Sequence, residues 1–329
     1  MLNVKKPKRP VFRGEGATAM FEVQIMSDLH LEFPNALAHL PSFEPRAPYL
    51  ALLGDIGHPK KENYFAFLAA QAARFERVFV VTGNHEYYTS DRDTVHRQIS
   101  EFCSTFDNLH FLQMSSVLLE DNGHKVRVLG TTLWHHCPEK DIGQVERTLN
   151  DYAMIGVPST TPEGAPKKRK LRAADTNSWH AEEVAWLKAA IAEAEAAGEA
   201  VAVLTHHLPS NNSSIAHFRP QVTNFFLTHA SWFAVLSGGL GFSTDLEDVI
   251  KSPLIFWGYG HTRKTVDVAM QHKSHQTVIN GVMVASNQRG YFMAPPEKAG
   301  FSPEFVVTID HDRQSYIMRN DPAKTNQQD

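Results

Sequence analysis

FEVQIMSDLH, Phe21 to His30, is the stretch on which the reading of the fold turns. Apolar and polar residues alternate as far as Ser27 and then give way to Asp28 and His30, the pattern of a strand that stops in a polar loop. The pattern recurs downstream. YLALL (Tyr49 to Leu53) is a continuous apolar run, as expected of a strand covered on both faces, and it leads into Gly54-Asp55. RVFVV (Arg77 to Val81) precedes Gly83-Asn84-His85-Glu86, AVAVLT (Ala200 to Thr205) precedes His206-His207, and LIFW (Leu254 to Trp257) precedes Gly260-His261-Thr262. In open α/β sheets ligands gather beyond the carboxyl ends of the strands, so these polar clusters are expected to meet.

Helical spacing appears between the strands, over Glu62 to Phe75. A second helix is predicted from about Ser90, with Val95, Ile99 and Phe102 on one face and Asp93 completing a capping box. A long helix is predicted behind a Ser178 cap, with Val184, Leu187, Ile191 and Ala194 as its stripe and Gly198 as its end. Hairpins are expected about Asn122-Gly123 and Asn280-Gly281. Residues 156–177 carry Pro158, Pro162, Gly164, Pro166 and the basic run Lys167 to Lys170, and read as a surface loop. The apolar stretch Asn224 to Leu236 reads as a helix packed on the core, with a substrate lid as the alternative. Together these elements predict one mixed α/β domain over residues 21–315, between a flexible basic tail at 1–20 and a polar tail at 316–329.

The bulk properties narrow the class. With 329 residues, 42% of them hydrophobic, the chain has ample length to bury a core. A net charge of −4 gives no general attraction to nucleic acid or to anionic membranes. The two cysteines, Cys103 and Cys137, imply no disulfide framework and point to a reducing, cytoplasmic setting. The N-terminal stretch lacks the apolar centre of a signal peptide, and no run is long and apolar enough to span a bilayer.

A lone Asp-x-His is ordinarily a turn; five such clusters in order, each after a strand, are a different matter. Mixed carboxylate and imidazole donors suit Mn, Fe, Zn or Co, whereas calcium takes nearly all oxygen. The absence of thiols argues against a structural zinc site. Glycines at 54, 83 and 260 let the backbone turn sharply and bring the donors inward.

The order D-x-H, G-D, G-N-H-E, H, G-H-x resembles the calcineurin-like metallophosphoesterase superfamily over roughly residues 21–270. SDLHLEF (Ser27 to Phe33), GTTLWH (Gly130 to His135), NSWHAEEVAWL before the long helix and SNQRGY (Ser286 to Tyr291) resemble one bacterial and fungal subgroup of it. The resemblance implies a four-layer α/β/β/α sandwich, two mixed sheets flanked by helices. It implies hydrolysis of a small-molecule phosphate mono- or diester by a metal-activated hydroxide at a dinuclear centre. Asp28, His30 and Asp55 would hold one divalent ion, and Asp55 would bridge to a second held by Asn84, His206 and His261. His206 is preferred to His207 because it ends the strand. His85 would face the scissile phosphate and stabilise charge or protonate the leaving oxygen. Asn84 and His207 would also border the substrate. Two cations about 3.5–4 Å apart clamp a phosphate and activate water, which fits in-line attack.

Two positions depart from the family pattern. Arg263 stands where G-H-x-H ends in histidine; a guanidinium cannot ligate, so the first site is expected to be weaker. His135 and His136 are the nearest replacements, and the forked donors of Arg263 suit a substrate phosphate. His58 stands where relatives carry the aspartate that orients the catalytic histidine, so less support is expected for a protonated His85. Arg263 motivates a rival reading, a degraded or non-catalytic relative that binds a phosphorylated ligand at one metal. A nuclease is a third reading, disfavoured by the acidic balance.

Overall fold

The computed structural model of the chain describes residues 19–121, 123–211, 242–266, 269–272, 275–291, 300–310 and 316–319. Most of the basic N-terminal tail and the Asn224 to Leu236 stretch lie outside the described residues. Strands β1 (Ala19–Met26), β2 (Tyr49–Leu53), β3 (Arg77–Val81) and β4 (Leu109–Phe111) run parallel, with α1 (Glu62–Ala72) and α2 (Arg92–Cys103) as crossovers after β2 and β3. A hairpin of β5 (Ser115–Asp121) and β6 (His124–Thr131) follows. Next come α3 (Ile142–Thr148), α4 (Asp151–Met154), a ribbon of β7 (Gly156–Thr160) and β8 (Pro166–Lys170), and the long α5 (Ala173–Ala196). The remaining strands are β9 (Ala200–Thr205), β10 (Leu254–Tyr259), the ribbon β11 (Arg263–Val266) and β12 (Ala269–His272), β13 (His275–Ile279), β14 (Val282–Ser286), β15 (Val306–Asp310) and β16 (Tyr316–Arg319).

These strands form two six-stranded mixed sheets, ordered β16-β15-β1-β2-β3-β4 and β13-β14-β10-β9-β6-β5. The period of two along each strand sorts side chains between layers. In β2, Ala51 and Leu53 face the second sheet, while Leu50 and Leu52 face Tyr64 and Leu68 of α1. In β9, Ala202 and Leu204 enter the space between sheets, while Val201 and Val203 pack on Leu187 and Ile191 of α5. Apolar on both faces, these strands are fixed in register on both sides, which is why YLALL and AVAVLT carry no alternation in sequence. Each fully buried aliphatic side chain contributes about 1.5–3 kcal/mol relative to exposure. The result is the expected four-layer sandwich of two mixed sheets flanked by helices.

Local chemistry shifts several predicted boundaries. The cap of α2 is Asp91, whose side chain accepts the Thr94 N–H, rather than Ser90. The long helix begins at Ala173, not at Ser178, because Asp175 accepts the Arg172 backbone N–H and is itself held by Arg169. Residues 156–177, expected as a loop, contain the ribbon β7–β8 and the first turns of α5. Backbone pairing and the Lys168–Asp91 ion pair hold the ribbon. Within the stretch expected as a polar tail, β16 adds an antiparallel strand to the edge of the first sheet. No described helix is long and apolar enough to cross a membrane.

Candidate metal centre

The five polar clusters lie at one end of the sandwich, on the seam between the sheets. Asp28, in the loop after β1, donates its N–H to the Gly54 carbonyl, and the His30 N–H goes to the Asp55 carbonyl. In the second sheet the Gly260 N–H reaches the His206 carbonyl. The His261 N–H crosses between sheets to Asp28 Oδ2 at 3.1 Å. The chain therefore continues its neighbour-to-neighbour bonding past the strand ends and brings the side chains inward.

The backbone bends unusually to do so. Asp28, His30, Asp55 and His261 have φ of 55°, 50°, 52° and 62°, in the left-handed region that non-glycine residues seldom occupy. Two glycines make room. A Cβ at Gly54, itself at φ 82°, would lie 2.4 Å from His206 Nδ1, and one at Gly83 would lie 2.3 Å from Asp55 Oδ1. Glu86, fully buried, ties the loops after β2 and β3 together by accepting N–H bonds from Asp55 (3.0 Å), Ile56 (2.8 Å) and Gly83 (2.8 Å). It belongs to the quoted G-N-H-E motif, yet its role is to shape the loops.

Asp55 lies at the middle. It shares one compact donor group with Asp28, His206 and His261 and another with His30 and His85. On the first side, His206 Nδ1 lies 2.8 Å from the Leu53 carbonyl, which places its proton there and leaves Nε2 a lone pair in the neutral ring. That Nε2 faces Asn84 Oδ1 at 3.3 Å, His261 Nδ1 at 3.0 Å and Asp55 Oδ1 at 3.5 Å. The Asn84 amide nitrogen is turned away, donating to Asp151 Oδ1 at 2.7 Å, and the Tyr88 hydroxyl donates to the same oxygen at 2.8 Å. The lone pairs of His206 Nε2, Asn84 Oδ1 and Asp55 Oδ1 therefore turn toward one another, and Asp55 Oδ2, fully buried, meets no hydrogen-bond donor among the described residues. Such an arrangement is repulsive on its own and suits a cation. The residues fit a bound metal cation.

On the other side, Glu32 Oε1 lies 2.9 Å from His30 Nδ1 and 2.9 Å from His85 Nδ1. Burial would raise the Glu32 carboxyl; hydrogen bonds from the two imidazoles, and their charge, outweigh it and hold the group well below the usual carboxylate range. His30 is pushed below its ordinary value by burial and by His85, against the pull of Glu32 and Asp55. The His85 N–H donates to Asp55 Oδ1 at 2.9 Å, and its ring stacks on Tyr88 at 4.4 Å. Tyr291, from the SNQRGY stretch, stacks on His30 at 4.4 Å, with its hydroxyl 3.4 Å from His85 Nε2.

All six expected ligands are thus brought to one place: the Asp28 carboxylate lies within reach of Asp55, His206 and His261, and His85 stands beside His30 and Asp55. His58 does not meet His85; its Nε2 faces the Tyr88 carbonyl and its Nδ1 accepts the Lys60 N–H. The support expected to be missing from His85 comes instead from Glu32, which sequence reasoning passed over inside its own quoted SDLHLEF. Asp151, which sets the Asn84 amide, was likewise missed. Among the described residues neither His135 nor His136 joins a donor group; His135 Nε2 contacts the Tyr152 hydroxyl at 3.2 Å. His207 is fully buried beside His261, ring to ring at 4.4 Å, and burial, with His206 and His135 alongside, pushes it well below its ordinary value. Arg263 opens β11, and its side chain lies outside the described residues.

Two packed mixed sheets with carboxylate, amide and imidazole donors converging at their strand ends define an α/β/β/α sandwich with a candidate metal centre. Residues 22–238 match the calcineurin-like phosphoesterase model, and the chain belongs to that family. An uncharacterized protein of Acanthamoeba polyphaga mimivirus, L509, is 27% identical over 302 residues, covering 88% of this chain and 96% of its own. The crystal structure of phosphopantetheinyl hydrolase from Mycobacterium tuberculosis matches with a TM-score of 0.56 at 17% identity, over 93% of this chain and 98% of that one, a likeness of fold.

Proposed function

We propose that the chain hydrolyses a phosphate mono- or diester of a small molecule at a dinuclear centre of Mn, Fe, Zn or Co ions. The observation that carries this reading is Asp55, a buried carboxylate common to both donor groups and with one oxygen lacking any described hydrogen-bond donor. When bound, two such cations would activate water near neutral pH and neutralise charge on the phosphoryl oxygens. In this reading Asp28, His30 and Asp55 hold one cation, and Asp55, Asn84, His206 and His261 hold the other.

The chain's own groups orient the substrate and hold a proton. His85, clamped through Nδ1 and by its backbone N–H, presents Nε2 to the leaving oxygen as the atom that would pass a proton there when the ring is doubly protonated. Arg289 is only 2% exposed, its Nε has no hydrogen-bond partner among the described residues, and its backbone N–H is bonded to Ser27, next to Asp28. A buried guanidinium needs an anion, and a phosphoryl oxygen supplies one. Arg289 thus stands as a candidate substrate-binding residue in addition to Arg263, whose side chain lies outside the described residues. The two free cysteines are both buried, in keeping with the cytoplasm.

Metal analysis of the purified protein is expected to find more than one transition-metal ion per chain. With Mn(II) added, turnover is expected of p-nitrophenyl phosphate, of its bis-ester or of a phosphopantetheinyl ester, the last chosen from the name of the similar hydrolase. Asn84→Ala is expected to abolish that turnover. No turnover of any phosphate ester, or an Asn84→Ala variant as active as the parent, overturns the reading.

A further inference from the structure

Glu32 lies two residues beyond His30, and Leu31 between them is buried in the core beside α1. The left-handed backbone of His30 returns the chain so that the Glu32 side chain, 13% exposed, reaches across both imidazoles. The rings stand edge to face at 4.5 Å with an interplanar angle of 65°, and one oxygen serves both Nδ1 atoms at 2.9 Å. A carboxylate has acceptors only, so each ring carries its proton on Nδ1 and turns Nε2 the other way. Both Nε2 atoms then lie 3.9 Å from Asp55 Oδ2. A carboxylate behind the outer nitrogen is the usual device for fixing the tautomer and direction of an imidazole that ligates a metal or moves a proton. Here one carboxylate serves two rings.

We propose that Glu32 is a shared positioning carboxylate, orienting His30 for metal binding and His85 for the leaving group through the same oxygen. The proposal rests on the phosphoesterase reading above and adds a link that reading lacks. It replaces a support from the loop after β2, where His58 faces the Tyr88 carbonyl, by one from the loop after β1. Metal retention at His30 and the work of His85 therefore depend on one group, and removing it impairs both while leaving the other ligands in place.

The test compares Glu32→Gln and Glu32→Ala with the parent and with His85→Ala, all loaded with Mn(II). Glu32→Gln keeps the shape and weakens the charge-assisted bonds; Glu32→Ala removes them. Three quantities are read: Mn(II) bound per chain and its affinity, kcat and KM separately on the best ester, and histidine tautomers by long-range proton–nitrogen NMR of the Mg(II)-loaded protein. Glu32→Ala is expected to weaken one of two Mn(II) sites by roughly 10–100-fold and to lower kcat more than it raises KM. Two histidine signals should lose the Nδ1–H tautomer in that variant. Glu32→Gln should fall between it and the parent, and His85→Ala should lower kcat while keeping both ions. Unchanged Mn(II) affinity in Glu32→Ala, or an unchanged tautomer pattern, overturns the proposal. If the parent itself turns over no ester, the phosphoesterase reading falls, while metal affinity and tautomers still decide the role of Glu32.

Discussion

The two sides of Asp55 each present a pair of imidazoles and hold them by different means. On the His206 side the ring is fixed by a backbone carbonyl, that of Leu53, and everything within reach of its Nε2 is fully or almost fully buried. On the His30 side the rings are fixed by a side chain, Glu32, which keeps some contact with solvent. One half is anchored in the sheets themselves, the other in a loop that borrows its rigidity from a single carboxylate. Donor identity follows from strand ends, whereas donor orientation is supplied by whatever lies behind each ring.

The largest expected effect breaks both halves together. Asp55→Asn removes the charge common to both donor groups, and bound metal should fall below one ion per chain with activity down by more than about 10³-fold, beyond the 10–100-fold typical of an outer partner. A variant that keeps one ion at full affinity would show that the two sides are independent. Asp151→Asn acts first on the buried half, through Asn84. By loosening the Asn84 amide it should weaken metal affinity by about 10–100-fold, with the histidine tautomers on the Glu32 side unchanged in NMR.

A stability effect of lesser size separates folding from the site. Burial depresses His96 and His135 to about 3. Below the ordinary histidine value the unfolded chain takes up protons that the folded chain refuses, so this stability is complete above about pH 6.5 and is lost as pH falls toward 3. At pH 5 each would account for on the order of 2 kcal/mol. Tm should therefore drop between pH 7.5 and 5, and His96→Gln, which keeps a partner for Tyr87, should flatten that dependence. A variant with the same pH slope as the parent would reassign the acid sensitivity. The smallest effect expected is a gain: Arg263→His restores the residue that the family pattern places there and should tighten Mn(II) binding several-fold. Calorimetric titration showing no change would mean that the His30 half has no vacant position for it.

The sequence makes the buried architecture legible and the connecting chemistry much less so. Tyr49–Leu53 and Arg77–Val81 appear as strands with the predicted limits, because a strand covered on both faces has an apolar run with sharp polar ends. The ribbon β7–β8 has no such signal: β8 is exposed at every position and basic, and it is held by backbone pairing and by Asp91, far away in sequence. The start of α5 was missed for a related reason, since its cap is made by Arg172 and Asp175 with help from Arg169 and Glu146 instead of by a serine. In the site, the donors stood out because each follows a strand. Glu32 and Asp151 did not, because nothing local distinguishes a carboxylate whose partner, His85 or Asn84, arrives from 53 or 67 residues away.

The left-handed turns at Asp28, His30, Asp55 and His261 carry a consequence for how freely these positions can change. At most sites in a protein alanine is easier on the backbone than glycine; at these four the order is reversed, by roughly 1–2 kcal/mol for each residue. A chain selected for stability alone would drift toward glycine there and lose its donors. Aspartate and histidine, which tolerate the left-handed region better than most side chains, reconcile the two demands. The narrow choice of residue at these strand ends is thus set twice, once by what the side chain can hold and once by how the backbone must bend.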